Sequence, residues 1–154
     1  MENPVAAVKE QTRMAKERLL KTFSFVPEEK LTWSPSPTAK SALQILAHTG
    51  TSNQSLAALL RGEPGGAEEH ERLHAAEAAI TTRAQAVQLI EESTEEVLAA
   101  LDTLTPERIA SMVETPWLTA PMPFFMGLPA LHMQGHAAQI DYLQTIWGDE
   151  QFHM

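Results

Sequence analysis

Residues 128–149 read LPALHMQGHAAQIDYLQTIWGD, and their spacing decides the fold. His132 and His136 stand four positions apart, just over one helical turn, so a helix sends both imidazoles out on one side. His132, His136, Gln139 and Leu143 continue as one stripe, with Leu128 and Leu131 on the preceding turn. The pattern predicts a helix over about 124–147, stopped at Gly148.

Three more helices follow from the same periodicity. The first covers about 4–24, with Pro4 in its opening turn and Val5, Val8, Met14, Leu19, Leu20 and Phe23 on its apolar side. The second covers about 38–61, started by Ser36 or Thr38 near Pro37 and burying Leu43, Leu46, Leu56 and Leu60. Gly62 and then Pro64-Gly65-Gly66 end it. The third covers about 81–102 and buries Ala84, Val87, Leu89 or Ile90, Val97, Leu98 and Leu101. A polar helical stretch, AEEHERLHAAEAA (67–79), precedes or joins it, and Thr105-Pro106-Glu107 caps one extra turn. Residues 111–123, with Pro116, Pro121 and Pro123, read as an irregular loop. No period-two run of useful length occurs. The expectation is one all-α domain over 1–154, most simply a four-helix bundle.

Bulk properties exclude several function classes. Lys+Arg 11 against Asp+Glu 20 leaves a net charge of −9, which disfavours phosphate backbones and so nucleic acid. There is no cysteine, hence no disulfide, thiolate ligand or cysteine nucleophile, and any thiol chemistry must use an external thiol. No apolar run approaches the roughly 18–20 residues that span a bilayer. MENPVAAVKEQTRMAKE lacks a signal peptide's apolar stretch, so the expected setting is cytoplasmic, with no membrane partner.

His48 lies mid-way along the second helix, on a side shared with Ile45, Ser52 and Leu56. The 132/136 pair is at a similar depth in the last helix, so all three histidines fall near mid-bundle whichever way the helices run. Three imidazole nitrogens are a ligand set for zinc and similar divalent ions, with a coordination position left for water or substrate. The competing reading is three separate core histidines, each hydrogen-bonded. With a metal, the ion keeps its full charge and acidifies a bound thiol or water strongly.

SALQILAHTGTSNQSLAALLRGE (41–63) and LPALHMQGHAAQIDYLQTIWGD together resemble the signature helices of the DinB/YfiT-like family. There one histidine comes from the second helix and an HxxxH pair from the last, followed by a GQI-like tripeptide; here Ala138-Gln139-Ile140 stands in that place. VPEEKLTWSPSPTAKSA (26–42) is similar to the family's approach to the second helix, and the resemblance spans about residues 4–148. It implies an up-down-down-up bundle with long crossover connections, His48, His132 and His136 as metal ligands, and a homodimer. The three imidazoles suit zinc or nickel as the metal, with iron or copper as further options. The activity the resemblance implies is that of a metal-dependent transferase or isomerase pairing a low-molecular-weight thiol with an electrophilic substrate. A non-catalytic, stress-related metal-binding or interaction protein and a metal-dependent hydrolase are the alternatives. Gly135 and Ala137 replace residues that are commonly bulkier or charged in relatives, which implies a wider or different pocket.

A second histidine motif competes. His70-Glu71-Arg72-Leu73-His74 matches HExxH, in which two histidines hold zinc and the glutamate serves as base. Glu95 or Glu96 would then be a third ligand. Its neighbours Glu68, Glu69, Arg72 and Glu77 leave little apolar face, so a solvated helix is the expectation, with a turn over the mouth of the main site as the other use. Trp33, Trp117, Phe124, Phe125 and Met126 serve as core or dimer packing or as pocket walls. Gln139 is placed to bond a ligand imidazole or a metal's water, and Ser52 and Asn53 have a similar position beside His48. Asp141 and Tyr142 are off the histidine stripe. Glu91, Glu92, Glu95 and Glu96 are expected to face solvent, and His153 to fray with the terminal tail.

Overall fold

The computed structural model describes residues 4–154; residues 1–3 of the expected domain lie outside the described residues. The element order is α1 (Pro4–Ser24), a 3-10 turn (Glu28–Lys30), α2 (Ala42–Leu60), α3 (Ala67–Ala78), α4 (Arg83–Asp102), α5 (Pro106–Ile109), β1 (Met112–Glu114), β2 (Thr119–Pro121) and α6 (Met122–Ile146). The four helices expected from periodicity are α1, α2, α4 and α6.

Local chemistry explains the boundaries. Ser41 and Gln44 form a reciprocal capping box that starts α2, and Thr82 and Gln85 do the same for α4. The start of α2 is therefore later than the expected Ser36 or Thr38. Ser36 instead closes a turn, its Oγ and carbonyl both accepting from the Ala39 amide at 3.1 and 3.3 Å. Gly62 and Gly148 follow α2 and α6 at φ +80° and +91°, the left-handed geometry that ends helices.

The long helices form a ring in which α1 packs on α4 and α6, and α2 packs on the same two. Direction follows from the pairs they exchange. Arg18 meets Asp141 at 2.8 Å and Gln144 donates to the Thr22 carbonyl at 2.8 Å, so α1 and α6 run in the same sense. Lys9 pairs with Asp102 and Lys16 with Glu91, so α4 opposes α1. Asn53 reaches Ser93 and Gln54 reaches Glu96, so α2 and α4 are parallel. This is the up-down-down-up order. A parallel α2–α4 pair requires a connection that travels back along the bundle, and α3 packs on α2 to do so.

The core divides into two apolar clusters. One gathers Leu19, Phe23, Leu46, Ile90, Met133 and Ile140; the other gathers Leu60, Val97, Leu101, Met122, Phe125 and Met126. Between them along α2 and α4 lie buried Thr49, Asn53, Ser93 and Thr94. Thr49 and Thr94 bond back to their own helices at 2.7 Å, while Asn53 donates weakly to Ser93 at 3.4 Å. Gly50 sits where a Cβ would run into the Leu89 side chain, so its lack of one lets α4 close on α2.

Three expectations change. Residues 111–123 are a short hairpin leading into α6: Val113 opposes Ala120, both are buried on the second cluster, and Thr115–Leu118 turns with Pro116 at its second position. Its strands of three residues are too short to show a period. Met14 is 60 % exposed and Ala84 is also exposed, so neither belongs to the core. His153 does not fray. It is buried, stacked on Phe25 with ring centroids 3.9 Å apart, and 2.7 Å from Asp149. Among the described residues no helix is long and apolar enough to cross a membrane.

Candidate metal centre

The inward stripe of α6 is Met122, Met126, Met133, Ala137, Ile140 and Gln144. His132 and His136 stand one position round from Met133 and Ala137, which places them half-buried where α6 meets α2. Leu131, expected to border the stripe, is 62 % exposed. Ala137 is fully buried in the core and Gly135 faces open space, so neither widens a pocket by lining it.

From α2, half-buried His48 completes the group. The ring centroids of His48 are 5.3 Å from His132 and 5.2 Å from His136, and those two are 4.3 Å apart. One nitrogen from each ring lies within 4.8 Å of the others. The topology therefore brings together all three residues that the spacing singled out.

The hydrogen-bond pattern tests whether these residues fit an ion. Gln139 Oε1 accepts from His136 Nδ1 at 2.7 Å, which leaves the His136 Nε2 lone pair free. That nitrogen faces His132 Nε2 at 2.9 Å. His132 Nδ1 is buried without a partner in either tautomer, so the contact between the two Nε2 atoms is what bears on an ion. With a cation both Nε2 atoms present lone pairs. Two nitrogens each about 2.0–2.1 Å from one ion stand roughly 2.9–3.4 Å apart, which suits the observed spacing. The residues fit.

The electrostatics agree. Burial, then repulsion from His136 and His48, pushes the His132 pKa down to about 4. Burial also lowers that of His136, with His48 and Lys40 adding to the effect and the Gln139 bond opposing it. His132 is thus neutral near pH 7, the form that ligates metal.

Glu77 was missed by sequence reasoning. Its Oε2 lies 3.7 Å from His48 Nδ1 and accepts from Thr51 Oγ1 at 3.2 Å. The available signal was a lone carboxylate one turn after His74, hidden among other acids until α3 folded back along α2. His70 and His74 do not form a second centre. Both are exposed, their centroids are 6.3 Å apart, and neither belongs to a group of three or more potential ligands among the described residues. Of the two suggested third ligands, Glu95 is exposed and Glu96 instead accepts from Gln54 at 3.2 Å. His70 and His74 do line a cleft of about 320 Å³ with His48 and Glu77, so α3 flanks the main site.

Two further hollows touch the trio. One of about 640 Å³ reaches His48 and His136 and is walled by Ile45, Tyr142 and Leu143; a smaller one of about 220 Å³ reaches His132 beside Ser52 and Leu128. Of the aromatics considered as walls, Trp33 packs edge-on to Trp147 at 5.6 Å and Phe125 is core, whereas Trp117 lines a separate hollow of about 700 Å³. Asp141 is spent on Arg18 and Thr22, far from the histidines in role.

Comparison with known proteins gives the family. No curated protein sequence matches this chain. Among solved structures, a conserved protein from Enterococcus faecalis superposes with TM-score 0.76 at 15% identity, covering 97% of this chain and 100% of that one. A DinB-like protein from Bacillus subtilis gives 0.71 at 16%, covering 96% of each. A mycothiol-dependent maleylpyruvate isomerase gives 0.71 at 16%, covering 90% of this chain but 61% of that longer one. Identities this low speak for the fold. The sequence model of the DinB superfamily matches residues 11–140, and with most of its length inside that match the chain belongs to the DinB superfamily.

Proposed function

We propose that the chain holds a divalent ion on His48, His132 and His136 and works as a transferase or isomerase that uses a low-molecular-weight thiol. The observation that carries this is the convergence of three imidazole donors within 4.8 Å beside hollows open to a ligand. A superposable protein named as a mycothiol-dependent maleylpyruvate isomerase supports the choice of a thiol. Zinc or nickel suits the donor set best, and iron or copper is also compatible with it. A bound ion supplies Lewis acidity, lowering the pKa of a coordinating thiol or water.

The chain's own residues do the rest. Gln139 holds His136 in the tautomer that aims Nε2 at the centre. Glu77 sets a negative charge beside His48. Ile45 and Leu143 give the larger hollow an apolar floor that sheds water from a bound electrophile. A purely structural ion would favour a closed, shielded site, and the adjoining hollows weigh against that alternative. The homodimer and the cytoplasmic setting belong to the same proposal.

The test is elemental analysis of the purified protein, followed by a conjugation and isomerisation screen pairing several biological thiols with electrophiles. One equivalent of metal and thiol-dependent turnover are expected. Metal without turnover under any thiol favours the non-catalytic reading, and turnover without thiol favours the hydrolase.

A further inference from the structure

In a chain of net charge −9, cations are scarce and nearly all are committed. Seven of the eleven Lys and Arg residues pair with carboxylates, Lys21 bonds the Met154 backbone, and Lys30 lies over the Trp33 ring. Of these cations, among the described residues, only Lys40 and Arg108 have no ion pair, ring partner or side-chain hydrogen bond. Lys40 precedes the Ser41 cap of α2 and stands on the wall of the 640 Å³ hollow that reaches His48 and His136. Its charge is felt at His136.

That hollow has no aspartate or glutamate on its wall; the adjacent cleft, which Lys40 also borders, carries Glu77. The first turn of α2 has no acid either, so the positive end of its dipole adds to the lysine. Apart from the two histidines and Gln139, the wall is largely apolar, with Ile45 and Leu143 as its floor and Tyr142 beside them. An unpaired ammonium above an apolar, acid-free floor inverts the repulsive field that this acidic protein presents to small anions.

We propose that Lys40 is a specificity-determining residue and that the ligand entering this hollow is an apolar molecule bearing a carboxylate or similar anionic group. This rests on the histidine trio being the working site, since the anion docks at its mouth with the apolar body laid towards His136. The ammonium donates to the anion, and the apolar wall takes the remainder of the molecule.

The test uses metal-free protein and two probes of one shape, 4-phenylbutyrate and neutral 4-phenylbutan-1-ol, with affinities measured by calorimetry. The wild type is expected to prefer the carboxylate by about tenfold or more, as one charge-assisted hydrogen bond predicts. The preference should shrink as salt rises. Lys40→Gln should lose it, Lys40→Arg should keep it, and Arg108→Gln, in the separate hollow, should leave it unchanged. Equal affinities in the wild type, no binding of the carboxylate, or a preference that survives Lys40→Gln or falls with Arg108→Gln would each overturn the proposal. Metal content read on the same variants after reloading keeps this result apart from the fate of the three-histidine site.

Discussion

The Nε2 atoms of His132 and His136 face each other across 2.9 Å on adjacent turns of α6, with His48 closing the third side from α2. Two neutral imidazoles in that pose share one proton at most, and His132 Nδ1 stays buried without a partner whichever tautomer the ring takes.

His136→Ala should abolish stoichiometric metal, because two imidazoles from separate helices are a poor chelate. Elemental analysis after dialysis reads this directly, and full retention would remove His136 from the ligand set. Replacing His70 and His74 together by alanine should leave metal content unchanged; loss there would shift the centre to α3.

Gln139 is exposed, yet its carbonyl accepts from the ligand imidazole. Gln139→Leu should lower metal affinity about 10–100-fold while stability changes by less than about 0.5 kcal/mol. Competition with a chromogenic chelator separates the two effects. An unchanged affinity would mean that the 2.7 Å contact does not orient His136.

The depressed His132 pKa has a definite sign in the metal-free protein. The unfolded chain binds a proton at His132 below about pH 6.5, but the native state resists it until about pH 4. The contribution of this histidine to stability is therefore whole above 6.5 and declines as pH falls from there towards 4. Denaturant midpoints across that window should drop less steeply for His132→Phe than for the wild type. Parallel slopes would contradict the assignment.

Gly50→Ala should destabilise the fold although alanine is the better helix former. The clash with Leu89 costs on the order of 1–3 kcal/mol, against a helical gain of about 1 kcal/mol. In a Leu89→Ala background the same change should become stabilising. Thermal melts of the four combinations measure the coupling, and simple additivity would show that the helices do not touch at this point.

Much of this arrangement was legible in the sequence, because helical period and capping are local. α1, α4 and α6 begin and end within about two residues of where apolar spacing puts them, and the trio follows from mid-helix positions that topology can only bring together. What was hidden depends on contacts between distant segments. Glu77 reaches His48 only because α3 folds back on α2, and His153 is held by Phe25, more than a hundred residues away. The hairpin was concealed by its brevity and its prolines, and the true start of α2 by a richer-looking Ser-Pro-Ser-Pro-Thr just upstream of Ser41.

The helix that flanks the histidines is tied to the bundle by little of its own substance, since Leu73 is the single buried residue of α3. The ligands themselves stand on α2 and α6, whose neighbours are packed on several sides. Mutations therefore meet very different resistance in the two places. The holders of the ion are constrained by the whole bundle, whereas His70, His74 and Glu77 can be exchanged at little cost to folding. A lineage keeping this scaffold is free to retailor what it admits by drift along one exposed helix, long before the centre beneath is disturbed.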